Sequence, residues 1–180
     1  VIAGQNTRNL KVAAAVSLLA LANIAFHWIS LDDGGLPQAA IRAGLGTLLF
    51  LILLIGGRIT PSFTRNWLAR QGGPLPQAAG RIDAVALAVS FAALAAWAVF
   101  GGMLASSILL LVAGILNGVR LSRWGGERTL AEPLVTVLHV GYAWAALAIV
   151  LIGLSGLWPE HVPRIAGLHA AGAGAVGVMT

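Results

Sequence analysis

Three histidines of this chain, His27, His139 and His169, each fall inside a long apolar stretch, and the fourth, His161, lies just outside one. An imidazole in lipid is costly unless it faces a bundle interior and has a partner. Histidines so placed suit two kinds of chemistry. They can ligate a metal or a haem iron through a neutral ring nitrogen, or they can carry protons. Cysteine is absent, which excludes disulfides, a CxxCH haem attachment and cysteine-held iron–sulfur clusters within this segment. Any metal must then be held by His, Met, carboxylate or backbone.

The elements that must position these residues are membrane spans. The chain has 180 residues, 58% hydrophobic and 9% charged, with a mean hydropathy of +0.89. A soluble domain would carry about a quarter charged residues. Apolar runs of roughly 17 to 24 residues recur, long enough to cross a hydrocarbon core of about 30 Å. No alternating pattern of the kind that marks a membrane β-barrel is present. The spacing predicts an all-α, polytopic transmembrane helix bundle, a single membrane domain over residues 1–180. Its spans fall at about 11–31, 38–55, 82–100, 103–119, 133–156 and 163–180. Val1 and the abrupt stop at Met179-Thr180 read as a segment of a longer protein.

Local signals fill in the connections. Asp32-Asp33-Gly34-Gly35 make a turn, Pro37 opens the second span at a first-turn position, and Gly56-Gly57 end it. Residues 58–81 then form the longest loop, in which Pro61 would start a short interfacial helix with Phe63, Trp67 and Leu68 toward lipid. Thr129 and Glu132 have capping-box spacing for the fifth span, and Arg120 and Arg123 have Glu127 or Glu132 as partners. Gly114 and Gly118 form a GxxxG packing motif.

Six spans alternate the loops between two sides. One side carries Arg8, Lys11, Arg58, Arg65, Arg70, Arg81, Arg120, Arg123 and Arg128, and the other only Arg42 and Arg164. Nine cations against two make the first side cytoplasmic, and in a bacterium the other side is then periplasmic. The cations lie in short loops, so the net charge of +5 implies no nucleic-acid partner. The partner it implies is the lipid bilayer.

On this topology His27 and His169 lie at similar depth near the outer face, and His139 lies near the cytoplasmic end. Ala20, Asn23 and Ser30 share a helical face with His27, a polar stripe expected to point inward. Small residues, Gly167, Gly172, Ala173 and Gly174, surround His169 and would let a flat macrocycle or another helix come close. Two histidines at matching depth favour an axial pair for a b-type haem. Arg42 and Arg164 sit at the same level, where an Arg fork pairs with a propionate, although snorkelling to the interface explains either one alone. His139 shares a face with Glu132, Thr136 and Ala143 beside Tyr142, which suits a second metal, a proton relay or a hydrogen-bonded packing network.

At its loops and histidines the chain resembles the NnrS family of bacterial inner-membrane proteins. The resemblance rests on Gly56-Gly57-Arg58, Pro61, Phe63-Thr64-Arg65-Asn66-Trp67-Leu68, Glu132-Pro133-Leu134-Val135, Leu138-His139, Gly141-Tyr142-Ala143-Trp144 and Leu168-His169-Ala170, together with the stretch ending at His27. It implies a protein that contains haem and copper and is associated with nitric oxide metabolism and resistance to nitrosative stress. It also implies roughly twice as many spans as this segment holds. A ligand role is carried onto His27, His139 and His169, which fall inside the matching blocks.

The resulting expectation is a haem- and copper-binding inner-membrane protein that meets nitric oxide. Haem would sit on His27 and His169 with Arg42 and Arg164 near its propionates, and His139 would hold a second metal. Whether it catalyses a reaction is left open. The alternatives are a cofactor-free structural or assembly subunit of a larger membrane complex, and a proton-coupled transporter.

Overall fold

The apolar runs do fold as helices, and the computed structural model describes residues 10–33 and 37–179. In chain order these are α1 (Leu10–Asp33), α2 (Gln38–Arg70), α3 (Arg81–Phe100), α4 (Leu104–Ser122), a 3-10 turn (Gly126–Thr129), α5 (Pro133–Leu157) and α6 (Arg164–His169). A π-helical stretch, Ala170–Val176, and a last short turn, α7 (Gly177–Met179), complete the sixth apolar run. No strand occurs among the described residues. Helices α1 to α5 are each long and apolar enough to cross a membrane.

Glycine and proline set most of the boundaries. Gly101, with φ of 63°, ends α3 in a conformation that a side chain would resist, and Gly125, with φ of 71°, precedes the 3-10 turn. Pro133 takes the first position of α5, where its missing N–H is not needed. The cap before it is Glu132, whose side chain makes no capping bond. Thr129 donates instead to the Gly126 carbonyl at 2.7 Å, so the expected capping box does not form.

The second helix departs most from its sequence expectation. It does not stop at Gly56-Gly57 but runs 33 residues to Arg70 with Pro61 inside it. At about 1.5 Å per residue that is roughly 50 Å, well beyond a hydrocarbon core of about 30 Å. Pro61 therefore starts no separate helix. Phe63 is exposed as expected, whereas Leu68 is buried. The connection that follows is correspondingly short, residues 71–80, and three arginines tie it down. Arg65 donates to the Pro76 carbonyl at 2.7 Å, Arg128 to the Pro74 carbonyl at 2.6 Å, and Arg123 to the Gln77 side chain at 3.1 Å.

Helix α5 is the hub, packed against α2, α4, α6 and the π-helical stretch, while α3 lies between α2 and α4. Leu49, Leu53, Leu110, Tyr142 and Ile149 fill the fully buried centre. Close approach of α4 and α5 depends on small residues. A Cβ on Gly153 would stand 2.9 Å from the Ser107 carbonyl, and one on Gly114 would stand 3.1 Å from the Ala146 carbonyl. Gly118, the other half of the GxxxG motif, has nothing within 4 Å of its Cβ position. Half of that motif thus packs and half faces outward.

Helix α1 is seated on α2 through Ala15 and Ala22, with Leu19 reaching Gly44. The face that carries Ala20, Asn23 and His27 is exposed, which corrects the expectation that this polar stripe points into the described bundle. The physical reason is size. Alanines let two backbones approach more closely than a stripe of Asn and His does.

The two glycines of one motif should therefore respond oppositely. Gly114→Ala is expected to lower the thermal unfolding temperature in detergent by forcing α4 from α5. Gly118→Ala should leave it unchanged or raise it, since alanine favours helix by about 1 kcal/mol over glycine. Equal effects from the two would contradict this packing.

Candidate functional site

Asn117 and Arg120 stand three residues apart on α4, one helical face, and both turn inward. An arginine at that depth must be paired or bonded throughout, because an isolated buried charge is prohibitively costly. Arg120 is 2% exposed, and each of its nitrogens has a partner. Nε donates to Asp83 Oδ1 at 2.8 Å. Nη1 donates to the Tyr142 hydroxyl at 2.8 Å and the Leu53 carbonyl at 3.1 Å. Nη2 donates to the Gly57 carbonyl at 3.2 Å.

The last bond explains how proline is tolerated in α2. Pro61 has no N–H, so the carbonyl four residues earlier, that of Gly57, loses its intrahelical donor. The Arg120 guanidinium supplies one from another helix. Gly57 has to be glycine for this, since a Cβ there would fall on the guanidinium itself.

Asp83 is held from three directions. It sits in the first turn of α3, where Oδ2 accepts the Gly80 N–H at 2.8 Å, an acid at a helix N-terminus. Oδ2 also accepts from Arg123 Nη1 at 3.3 Å. Arg120 and Arg123 are therefore joined through Asp83, not through Glu127 or Glu132 as their spacing in sequence suggested. The Tyr142 hydroxyl, having accepted from Arg120, donates to Asn117 Oδ1 at 2.7 Å. Asn117 donates to Ser90 Oγ at 2.7 Å and to the Ala113 carbonyl, and Ser90 donates to the Ala86 carbonyl. One continuous set of bonds thus joins α2, α3, α4 and α5 at the Arg-rich end. The Trp124 ring lies over it, 5.4 Å from the Arg120 guanidinium and 4.7 Å from the Tyr142 ring.

His139 stands at the edge of this cluster, buried, with its ring 6.4 Å from that of Trp124. Its Nδ1 lies 3.0 Å from the Val135 carbonyl, which can only accept, so the proton is assigned to Nδ1. The Nε2 lone pair then lies 3.3 Å from the Thr64 hydroxyl, whose one proton goes to the Thr60 carbonyl at 2.8 Å. One turn back along α2, Thr60 Oγ1 is buried with no hydrogen-bond partner among the described residues.

The other sequence-predicted residues are not drawn into this cluster. His27 is exposed on α1, in edge contact with Phe26 at 5.4 Å. Arg42 donates through Nε and Nη2 to the Ala98 carbonyl near the end of α3, at 3.3 and 3.2 Å. Arg164 is exposed at the first residue of α6, and His169 is exposed at its last. α1 is seated on α2 and α6 on α5. His161 is exposed in the turn after α5. Among the described residues no three His, Cys, Asp or Glu side chains gather as a metal site.

Sequence reasoning passed over Asp83, Ser90, Asn117, Thr64 and Trp124. Two signals were present. Asp83 is an acid within the apolar run of the third span, and Asn117 with Arg120 makes a polar pair on one face of the fourth.

Removing one member of the buried pair should be severe. Arg120→Leu is expected to cost about 3–5 kcal/mol, since it strands Asp83 and the Gly57 carbonyl. The double variant Arg120→Leu with Asp83→Leu should lose less than the sum of the single losses, because no charge is then stranded. Unfolding midpoints in mixed micelles measure both, and strict additivity would refute the coupling.

A search of the curated proteins finds no match, and neither does a search of the solved structures. Against protein-family models the result is positive and covers the whole sequence. The model described as NnrS protein matches residues 1–180, and the chain belongs to the NnrS family.

Proposed function

We propose that this NnrS-family chain is part of a bacterial inner-membrane protein, Arg-rich face toward the cytoplasm, that holds b-type haem and acts in nitric oxide metabolism or nitrosative-stress resistance. The observation that carries the reading is the surroundings of His169. Its imidazole is exposed on an apolar run, and the chain enters a π-helical stretch directly after it. π-turns within helices are frequent at functional sites. Gly172 and Ala173, one turn on, are exposed, and nothing lies within 4 Å of a Cβ built on Gly172. That leaves a flat apolar surface beside a free imidazole, which suits an axial donor to a macrocycle.

His27, exposed on α1, has the same chemistry and would be the second imidazole to hold the group. Arg164, exposed at the start of α6, offers a fork for a propionate. His139 is not required, since both its ring nitrogens already face hydrogen-bonding groups. Each exposed imidazole is therefore suited to donate to a haem iron. Copper takes several donors at one point, and the described residues gather no such set. No step is assigned to copper here. When bound, haem supplies an iron centre able to take up nitric oxide or to pass electrons. The chain's part is to hold that group within the bilayer, where a small neutral molecule has direct access to it.

Oxidised and reduced absorption spectra of the detergent-purified protein test this, with His27→Ala and His169→Ala alongside. A b-type haem in wild type, lost or altered in both variants, is the expected outcome. Nitric oxide should shift the ferrous spectrum only if one axial position opens. A colourless wild type prepared with haem available would sink the reading and favour a cofactor-free structural subunit.

A further inference from the structure

An apolar groove of about 820 Å³ runs between α1, α2 and α3, lined among others by Ala14, Leu18, Phe50, Phe91, Ala95 and Ala98. It lies wholly within helices that are apolar enough to cross a membrane. On α2 the lining extends from Ala43 to Leu54, a length of about 16 Å at 1.5 Å per residue. Half of a hydrocarbon core of about 30 Å is 15 Å, so the groove has the depth of one leaflet.

A cation stands at its Arg-poor end. Ala98 lines the groove, and its carbonyl is the acceptor for Arg42, the residue directly before Ala43. Arg42 uses Nε and Nη2 for that bond, and Nη1 makes no hydrogen bond among the described residues. No carboxylate pairs with it there either. A half-buried guanidinium with no counter-ion among the described residues, at the mouth of an apolar groove, is complementary to a phosphate carried on acyl chains. Haem is the other amphiphile with anionic arms, but it needs an axial donor. Among the described residues no His, Met, Cys or Tyr lines the groove.

We infer that this groove binds one phospholipid of the leaflet on the Arg42 side, its phosphate on Arg42 and its acyl chains along α2 and α3. Neither His27 nor His169 lines the groove, so Arg42, expected from the sequence beside a haem propionate, is here assigned to a lipid phosphate instead.

The test is the phospholipid content of the protein after repeated detergent exchange, read by native mass spectrometry and by bound phosphorus. Wild type should retain one phospholipid. Arg42→Gln removes the charge-assisted contact, and retention should fall about tenfold. Ala95→Phe, which fills the open groove, should abolish it. Ile115→Phe, on an exposed face of α4 away from the groove, should retain the lipid as wild type does. A wild type without phospholipid overturns the inference, as do Arg42→Gln and Ala95→Phe proteins that keep it. A haem-mass adduct lost from these two variants while phospholipid remains would also overturn it. Should Arg42→Gln fail to fold, the wild-type content and the Ala95→Phe variant decide alone.

Discussion

The guanidinium of Arg120 is the point on which this bundle depends. A full charge buried among apolar helices is tolerable only if every donor is matched and the charge is paired. Meeting that demand fixes four helices at once. α3 must bring Asp83, α5 must bring Tyr142, and α2 must expose two carbonyls, one of which Pro61 has deprived of its usual partner. The arginine and the proline thus answer each other's defect. The helix that proline would break is held by the charge, and the charge is satisfied by the carbonyl that proline frees. Gly57 is the condition for both.

Five of the six expected spans were legible in the sequence because they follow from composition and from the length needed to cross lipid, whereas the sixth apolar run is broken into a short helix, a π-helical stretch and a last turn. What was not legible depended on contacts distant in sequence. Gly56-Gly57 followed by Pro61 read as a stop because local propensity favours one there, and the rescue comes from a residue 63 positions away. Arg120 and Arg123 read as partners of nearby glutamates because spacing reveals only neighbours, whereas Asp83 comes from another helix. His139 was correctly read as inward. His27 was not, because periodicity identifies a face without saying which face a neighbour will choose, and the alanine face of α1 packs more closely. The candidate haem donors were found by residue type and depth. The Arg120 cluster was missed because its members look unremarkable one at a time.

The bundle divides into two chemical ends. At the Arg-rich end polar side chains are buried and bonded to one another, and His139 is held among them. At the other end polar side chains remain available: Arg42 with one nitrogen that makes no hydrogen bond among the described residues, and Arg164 and the imidazoles of His27 and His169 exposed. The first arrangement suits a rigid frame. The second suits recognition of groups that the chain does not itself supply, with the frame setting the spacing of the helices that present them.

The connection between α2 and α3 shows how far composition can mislead. Gly72, Gly73, Pro74 and Pro76 would mark residues 71–80 as a loose linker, open to any protease. Three arginine side chains from three different segments hold its backbone carbonyls and its glutamine. A protease must draw a stretch of chain out into an extended form before it can cut. Here it would have to release all three attachments first, so the cations of the Arg-rich side, which read in sequence as mere topology signals, also guard this stretch.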